Sequence, residues 1–208
     1  MKEMHENPSG RAGWISRIFK RAMLRGSAFS GSYGKLRMLY ALEDPWEMSS
    51  AKEQHRFEAT NAQLSAVAPH FGTLLELGCG EGHQSVYLAR IADEVSGLDI
   101  SPRAVDRAGK RCPDGRFRVG RVEDAAALFP GERFDLITGC EVLCYAPDIR
   151  KILADLQAMT DRLYVSNYEA RARTMRDHFA GPGWKALPSI RYDDTVWECH
   201  IWERPQSG

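Results

Sequence analysis

The chain of 208 residues has no excess of charge of either sign, because 28 lysines and arginines balance 28 aspartates and glutamates. Proteins that bind DNA or RNA usually carry a basic surplus, so we expect no nucleic-acid partner. No apolar run approaches the roughly 20 residues that a membrane-spanning helix needs. The N-terminus also lacks the apolar stretch and cleavage site of a signal peptide. These absences predict a soluble, cytoplasmic protein.

Cysteine is scarce as well, and its five copies do not have the spacing of a disulfide framework or a metal site. Their number is odd, and no two of them form a CxxC pair. Such a pattern is typical of reduced thiols in an intracellular protein. We therefore expect mostly buried free cysteines and no bound metal ion.

Apolar segments alternate with helical segments from residue 50 onward. Strands are predicted at 73–77, 94–99, 117–119, 134–139, 162–167, 189–192 and 195–202, and helices at 50–67, 82–91, 102–111, 147–159 and 170–179. This alternation indicates an α/β protein with a mostly parallel sheet covered by helices on both faces. A chain of this length with 43% hydrophobic residues can bury one core, so we expect one domain at 51–208.

Residues 1–50 differ from the rest and form a predicted N-terminal helical arm that could act as a lid. Within it, residues 13–26 (GWISRIFKRAMLRG) contain four basic residues, no acidic residue, and apolar residues at helical spacing. We expect this segment to dock its apolar face on the main domain or on a sister subunit of a homodimer. A weak contact with an anionic membrane surface and a disordered segment are the open alternatives.

Residues 74–83, LLELGCGEGH, place three glycines at alternate positions directly after a predicted strand. Ligands of α/β sheets bind at this end of the strands. A dinucleotide-binding loop reads GxGxxG, but His83 replaces the third glycine and Glu81 puts an anion where a pyrophosphate would lie. The loop therefore favours a ligand without phosphates, and Glu76 offers a carboxylate to a cationic group such as an amine.

Asp99 ends the next predicted strand, about 20 residues beyond the loop, where a carboxylate usually accepts hydrogen bonds from the two hydroxyls of a ribose. The alternative role for Asp99 is to cap the helix that begins at Pro102, although Ser101 is the better cap. A nucleoside with a cationic amino-acid tail and no phosphate is S-adenosylmethionine. These residues therefore predict S-adenosylmethionine as the cofactor.

Four segments in chain order resemble the motifs of the class I S-adenosylmethionine-dependent methyltransferases. They are ELGCGEG (76–82), LDIS (98–101), VGRVED (119–124) and FDLITGCEVLCY (134–145). The resemblance covers roughly residues 70–168. It implies a Rossmann-like fold with a seven-stranded, mostly parallel sheet, to which this chain adds the N-terminal arm.

The resemblance also implies which residues hold the cofactor. These are Glu76, Gly78, Cys79, Gly80, Gly82, Asp99, Ile100, Val122, Glu123 and Cys140, with Trp46 of the arm as a wall or lid. Arg121 stands where the family often has aspartate, so Glu123 or the backbone of Val122 is expected to contact the adenine amine instead. Cys140 and Cys144 are expected to be small pocket-wall residues, because transfer from a sulfonium needs no covalent enzyme intermediate.

Two segments are similar to the NodS-like group of nodulation N-methyltransferases, which methylate the free amine of a chito-oligosaccharide. They are DPWEMSSAKEQHRF (44–57) and CEVLCY (140–145). Within this resemblance Glu141 is the catalytic candidate, since a carboxylate beside the transferring methyl can bind an ammonium and take its proton. The alternative is that Glu141 only orders its loop. Tyr145 and Trp184 are candidates for the substrate pocket.

The sequence is therefore interpreted as a methyltransferase that acts on a small-molecule or sugar-like acceptor, at an amine nitrogen. Two alternatives remain open at this point. One is an O-methyltransferase of natural-product biosynthesis, and the other is a cofactor-binding but non-catalytic subunit of a larger methylating complex.

Overall fold

The computed structural model describes residues 33–205. The predicted amphipathic segment at 13–26, with its expected subunit or membrane contacts, lies outside the described residues. The helices are α1 (Tyr33–Leu39), α2 (Ala51–Val67), α3 (Ser85–Leu88), α4 (Pro102–Arg111), α5 (Ala125–Leu128), α6 (Ile149–Met159) and α7 (Glu169–Ala172). The strands are β1 (Phe71–Leu77), β2 (Ala92–Asp99), β3 (Arg116–Val119), β4 (Leu136–Cys140), β5 (Arg162–Tyr168), β6 (Trp184–Tyr192) and β7 (Thr195–Glu203).

The seven strands form one sheet in the order β3-β2-β1-β4-β5-β7-β6. Strands β1 to β5 are all parallel to their neighbours, whereas β7 is antiparallel to both β5 and β6. The predicted seven-stranded, mostly parallel Rossmann-like sheet is thereby confirmed. Because β1 and β4 are neighbours while β2 lies on the other side of β1, the loops after these strands meet at the point where ligands bind in such sheets.

The sheet buries a separate apolar cluster on each face, so it is covered on both sides as the alternation of elements predicts. One cluster joins the strands to α5 and α6, with Phe129, Ile152 and Leu156 nearly inaccessible to solvent. The other joins the strands to α2 and α3 through Leu64 and Leu88.

Three helices begin where a polar side chain satisfies a free backbone N–H of the first turn. Ser50 accepts from the N–H of Glu53 in front of α2, and Asp148 accepts from the N–H of Lys151 in front of α6. Ser101 caps α4, whose first residue is proline as predicted.

Two predicted helices are shorter in the structure. The one predicted at 82–91 is reduced to the single turn α3, because Gly82 has a left-handed backbone (φ 78°) and the chain already turns at residues 89–91 toward β2. The one predicted at 170–179 breaks into α7 and a 3-10 turn at Arg176–Phe179. Strand β6 begins at Trp184, earlier than predicted, because Trp184 pairs with Trp202 of β7.

Within residues 33–205, no helix has the length and apolar character needed to cross a membrane. All five cysteines lie in this range and are free, and four of them are buried. The same residues contain no group of His, Cys, Asp or Glu side chains that could hold a metal ion.

Gly82→Ala should destabilise the fold by at least ~1–2 kcal/mol, because a side chain at a left-handed position is strained. Its Cβ would also lie 2.9 Å from the Cα of Ala108 in α4. The matched control is Gly109→Ala. Gly109 lies in α4, and a Cβ added there meets nothing within 4 Å. Gly109→Ala should stabilise the fold by about 0.5–1 kcal/mol. Urea unfolding measures the free energy of unfolding of both variants. Equal effects of the two substitutions would contradict the argument from the left-handed backbone of Gly82.

Candidate active site

A cavity of about 470 Å³ lies at the carboxyl ends of β1, β2 and β4. It is large enough for a nucleoside-sized ligand, since small-molecule sites usually span about 300–1,000 Å³. Most of the residues predicted to bind cofactor or substrate line it, namely Trp46, Glu76, Gly78, Cys79, Gly80, Asp99, Ile100, Val122, Cys140, Glu141 and Tyr145. The structure thus brings together residues from β1, β2, β4 and the N-terminal arm.

Glu76 lies near the end of β1 with its carboxylate buried at the cavity wall. Its Oε2 accepts a hydrogen bond from the hydroxyl of Ser85 at 2.5 Å. Burial raises the pKa of Glu76 to about 7, although the Ser85 hydrogen bond and the charge of Arg56 oppose this rise. An added cation at this carboxylate would stabilise its ionised form.

The glycine loop after β1 has left-handed backbone conformations that only glycine adopts without strain. Gly78 and Gly80 have φ values of 66° and 54°. A Cβ on Gly78 would lie 2.6 Å from Val142, and one on Gly80 would lie 3.2 Å from the hydroxyl of Tyr40. At these two positions the loop therefore presents only backbone atoms to the cavity.

Asp99 ends β2, and its carboxylate is buried beside the glycine loop. Its Oδ2 accepts from the N–H of Gly80 at 3.1 Å, and its Oδ1 accepts from the N–H of Ser101 at 2.9 Å. Burial raises the pKa of Asp99 to about 6, and these two hydrogen bonds limit that rise. Asp99 therefore does contact the turn before α4, but the cap of that helix is Ser101, and Asp99 still faces the cavity.

Residues 33–49, here called the cover segment, pack over the glycine loop. Tyr40 is buried with its hydroxyl near Asp99, and the indole N–H of Trp46 donates to the hydroxyl of Tyr40 at 3.2 Å. Tyr33 donates from its hydroxyl to Glu123 at 2.8 Å. Tyr33, Tyr40 and Trp46 all line the cavity, so the cover segment forms its outer wall.

Glu81 of the glycine loop fastens the cover segment to the domain. Its carboxylate accepts from the backbone N–H of Asp44 at 3.0 Å and from the guanidinium of Arg107 at 2.5 Å. Arg107 also donates to the carbonyl of Leu42 at 2.9 Å. Burial alone would raise the pKa of Glu81, but His83 and the donors of Asp44 and Arg107 outweigh burial and hold this pKa below its usual value. We call this set of contacts the Glu81 latch.

Glu141 follows β4 and has a left-handed backbone with φ 58°. A non-glycine residue at such a backbone angle is uncommon and is often found at functional sites. Its Oε1 accepts a hydrogen bond from the backbone N–H of Tyr168, and its carboxylate faces the cavity. Burial raises the pKa of Glu141, while the charge of Arg56 and the Tyr168 N–H oppose the rise. A base of raised pKa at a ligand cavity suits proton transfer near neutral pH.

The segment of the chain that carries most of the site matches a known protein family. Residues 75–161 match the family described as a methyltransferase domain. This part of the chain is therefore similar to methyltransferase domains. The glycine loop, Asp99 and Glu141 all fall inside the matched residues.

The chain matches only part of the length of its curated relatives. Nodulation protein S of Rhizobium tropici is 29% identical over 121 residues, which cover 58% of this chain and 51% of that protein. Magnesium-protoporphyrin O-methyltransferase of Rhodobacter capsulatus is 36% identical over 94 residues, which cover 42% of this chain and 40% of that protein. The chain thus spans about half the length of these relatives.

A solved structure has the same fold as this chain. The N-methyltransferase NodS from Bradyrhizobium japonicum WM9, in complex with S-adenosyl-l-homocysteine, superposes with a TM-score of 0.70 at 21% sequence identity. The superposition covers 84% of this chain and 98% of that chain. At this identity the likeness concerns the fold alone.

Three residues that the sequence predicts for the site do not line the cavity. Gly82 shapes the turn and packs against α4, and the carboxylate of Glu123 is engaged by Tyr33. Trp184 lies at the start of β6 and packs its ring 4.9 Å from that of Phe179. The hairpin of β6 and β7 carries Trp184 into the apolar cluster beside α6, which explains why it does not reach the predicted substrate pocket.

Several residues that line the cavity are not among the site residues predicted from the sequence. They are Tyr40, Lys52, Arg56, Gln84, Tyr168, Arg171 and Trp197. Arg171 donates to the hydroxyl of Tyr145 at 2.5 Å and lies over its ring, so it orients a predicted pocket residue. The sequence contains one sign that Arg56 is buried. Arg56, Thr60 and Leu64 follow one another at intervals of four residues, so they lie on the same, buried face of α2.

Proposed function

We propose that the protein is an S-adenosylmethionine-dependent methyltransferase that transfers a methyl group to an amine nitrogen of a small-molecule or sugar-like acceptor. The observation that carries this proposal is the placement of the Glu141 carboxylate in the same cavity as Glu76, Asp99 and the bare glycine loop. A nucleoside site and a candidate base thus share one enclosed space, as methyl transfer to an amine requires.

The cofactor, when bound, supplies a methyl group that its sulfonium has already activated. The buried carboxylate of Glu76 would receive its ammonium, and the carboxylate of Asp99 would accept from its ribose hydroxyls. Ile100 and Val122 offer apolar walls to the adenine. A pyrophosphate at the glycine loop would lie beside the carboxylate of Glu81, and two like charges in one small site repel.

The protein's contribution to the reaction is to orient the acceptor, exclude water and hold a proton. The cover segment closes the cavity with Tyr40 and Trp46, which limits the access of water to the reacting groups. An ammonium has no lone pair, so the acceptor must lose a proton before its nitrogen can attack. The carboxylate of Glu141 binds the ammonium and accepts that proton.

An O-methyltransferase is the second candidate, and the similarity to Magnesium-protoporphyrin O-methyltransferase favours it. A carboxylate is a weak base for an alcohol, because the two pKa values lie far apart. The position of Glu141 therefore suits an amine better than an unactivated hydroxyl. A non-catalytic subunit is the remaining alternative, and it would give no reason for a half-buried carboxylate in the wall of the cavity.

Incubation of the full chain with methyl-labelled S-adenosylmethionine and an acceptor panel tests the proposal. The panel pairs amino sugars and de-N-acetylated chito-oligosaccharides with their N-acetylated counterparts, which lack the free amine, and adds phenolic hydroxyl acceptors. We expect label in the amines and none in the N-acetylated controls. Label in hydroxyls alone would replace the amine assignment by the oxygen one. Cofactor binding without transfer to any acceptor would favour the non-catalytic subunit, and tight NADH binding would contradict a methyltransferase.

A further inference from the structure

Tyr168 is an aromatic residue in the cavity wall that the rest of the protein leaves uncovered. Within residues 33–205, three large apolar side chains are exposed, namely Met38, Val119 and Tyr168. Of these three, Tyr168 is the one that lines the cavity, and 43% of its surface is accessible. Aromatic side chains commonly line ligand sites, because a ligand that covers them removes apolar area from water. The exposure of Tyr168 therefore indicates a contact surface for a ligand.

Tyr168 shares a face of the sheet with Trp197. Alternate residues of a strand point to the same face, so Tyr168 of β5 lies on the face of Tyr164, whose hydroxyl donates to Gln63 of α2. Tyr168 is paired directly with Trp197 of β7, and side chains paired in this way lie on one face with Cβ atoms about 5 Å apart. Trp197 lines the cavity as well. The two aromatic residues therefore form one wall on the α2 side of the sheet.

Polar groups border this aromatic wall. The ammonium of Lys52 in α2 lies 6.0 Å from the ring centre of Trp197, and 44% of the Lys52 side chain is exposed. Thr195 begins β7 two residues before Trp197 and also lines the cavity. An aromatic face bordered by an ammonium and a hydroxyl fits a ring-shaped ligand with C–H groups on its faces and hydroxyls around its edge. The pyranose ring of a sugar has this chemistry.

The backbone of Tyr168 holds the candidate base, because its N–H donates to the carboxylate of Glu141. The acceptor must reach this carboxylate according to the proposed function, on which this step rests. We propose that Tyr168 is the acceptor platform, whose ring packs against one face of a pyranose while the amine of that sugar lies at Glu141. Cyclic amino sugars are then the preferred acceptors, and open-chain amines with the same polar groups are poor ones.

Glucosamine and its reduced, open-chain form glucosaminitol test the platform on the wild-type protein. Both carry the amine on the same carbon, but only glucosamine forms a pyranose ring. Steady-state methylation of each amine, with methyl-labelled S-adenosylmethionine at saturation, gives kcat and KM. Well-packed aromatic contacts are among the largest contributors to binding, so kcat/KM should favour glucosamine at least ~10-fold.

Substitution of Tyr168 separates the role of its ring from that of its backbone. Tyr168→Ala should raise the KM for glucosamine at least ~10-fold. The N–H that holds Glu141 remains, so kcat should change by about threefold at most, and cofactor affinity from calorimetry should stay constant. Tyr168→Phe keeps the ring and should retain the wild-type KM. Val119→Ala is the matched control, because it shortens a side chain that is 45% exposed but lies outside the cavity.

Equal kcat/KM of the wild type for the two amines would overturn the platform, while the observed methylation would leave the proposed function standing. The same conclusion follows if the wild type methylates other amines but neither probe. A Tyr168→Ala variant with lowered kcat and unchanged KM, or with weakened cofactor binding, would also overturn the platform, since Tyr168 would then act through Glu141 or the fold. Failure of the wild type to methylate any amine would overturn the proposed function and the platform with it.

Discussion

Glu141→Gln should reduce the rate of methyl transfer to an amine by ~10²-fold or more, with almost no change in cofactor affinity. The substitution keeps the shape of the side chain and its contact with the Tyr168 N–H, but it removes the charge that binds and deprotonates the ammonium. Single-turnover kinetics at saturating acceptor, together with calorimetry of cofactor binding, separates the two effects.

The pH profile provides an independent check on Glu141. Because burial raises the pKa of its carboxyl, the wild-type rate should rise with pH as this group ionises. The Gln variant should depend more steeply on pH, since only acceptor that has lost its proton in solution can react. Glu169→Gln is the matched control, because Glu169 pairs with Arg173 at the surface and should leave the rate unchanged. Near-full activity of Glu141→Gln would show that Glu141 only orders its loop.

Asp99→Ala should weaken the binding of S-adenosylmethionine by roughly 1.5–3 kcal/mol, the range for hydrogen bonds to a charged group. The expected cause is the loss of the carboxylate that accepts from the ribose hydroxyls. Calorimetry measures the affinity, and thermal unfolding shows whether the loss of the Gly80 and Ser101 contacts has disturbed the fold. Asp106→Ala on the exposed side of α4 is the control and should bind normally. Unchanged affinity of Asp99→Ala would remove Asp99 from the cofactor site.

Acidification should also weaken the binding of S-adenosylmethionine to the wild-type protein. Burial raises the pKa of Asp99 to about 6 and that of Glu76 to about 7, so in the free protein Asp99 is largely ionised at neutral pH and Glu76 only at alkaline pH. The ionised forms are the ones that accept from the ribose and pair with the ammonium. Cofactor affinity should therefore fall as the pH is lowered from about 8 to 5, and Asp99→Ala should show a weaker fall.

The strands and the glycine loop were predictable because their signals are local. Apolar runs that end in glycine or acid, such as LLELGCG, report a buried parallel strand and the loop after it without reference to distant residues. The caps at Ser50 and Ser101 are local in the same sense, since each depends on neighbouring backbone N–H groups.

The remaining features depend on contacts between distant parts of the chain. The latch joins Asp44 to Glu81, which are 37 residues apart, and Arg56 meets Gln84 across 28 residues. In the sequence, Arg56 stands in the charged stretch AKEQHR and has the composition of a solvated helix face. Its burial follows from packing against the loop after β1. Trp184 was misplaced for the same reason, because its environment is determined by its pairing with β7.

The Glu81 latch has a consequence for the exchange of cofactor. Exchange of the cofactor past the outer wall of the cavity moves the cover segment, and this motion breaks the hydrogen bonds from the Asp44 N–H to Glu81 and from Arg107 to the Leu42 carbonyl. Segment motions of this kind take microseconds or longer, and they commonly limit the turnover of enzymes with closing loops. We therefore expect substitutions that weaken the latch to shorten the residence time of the spent cofactor.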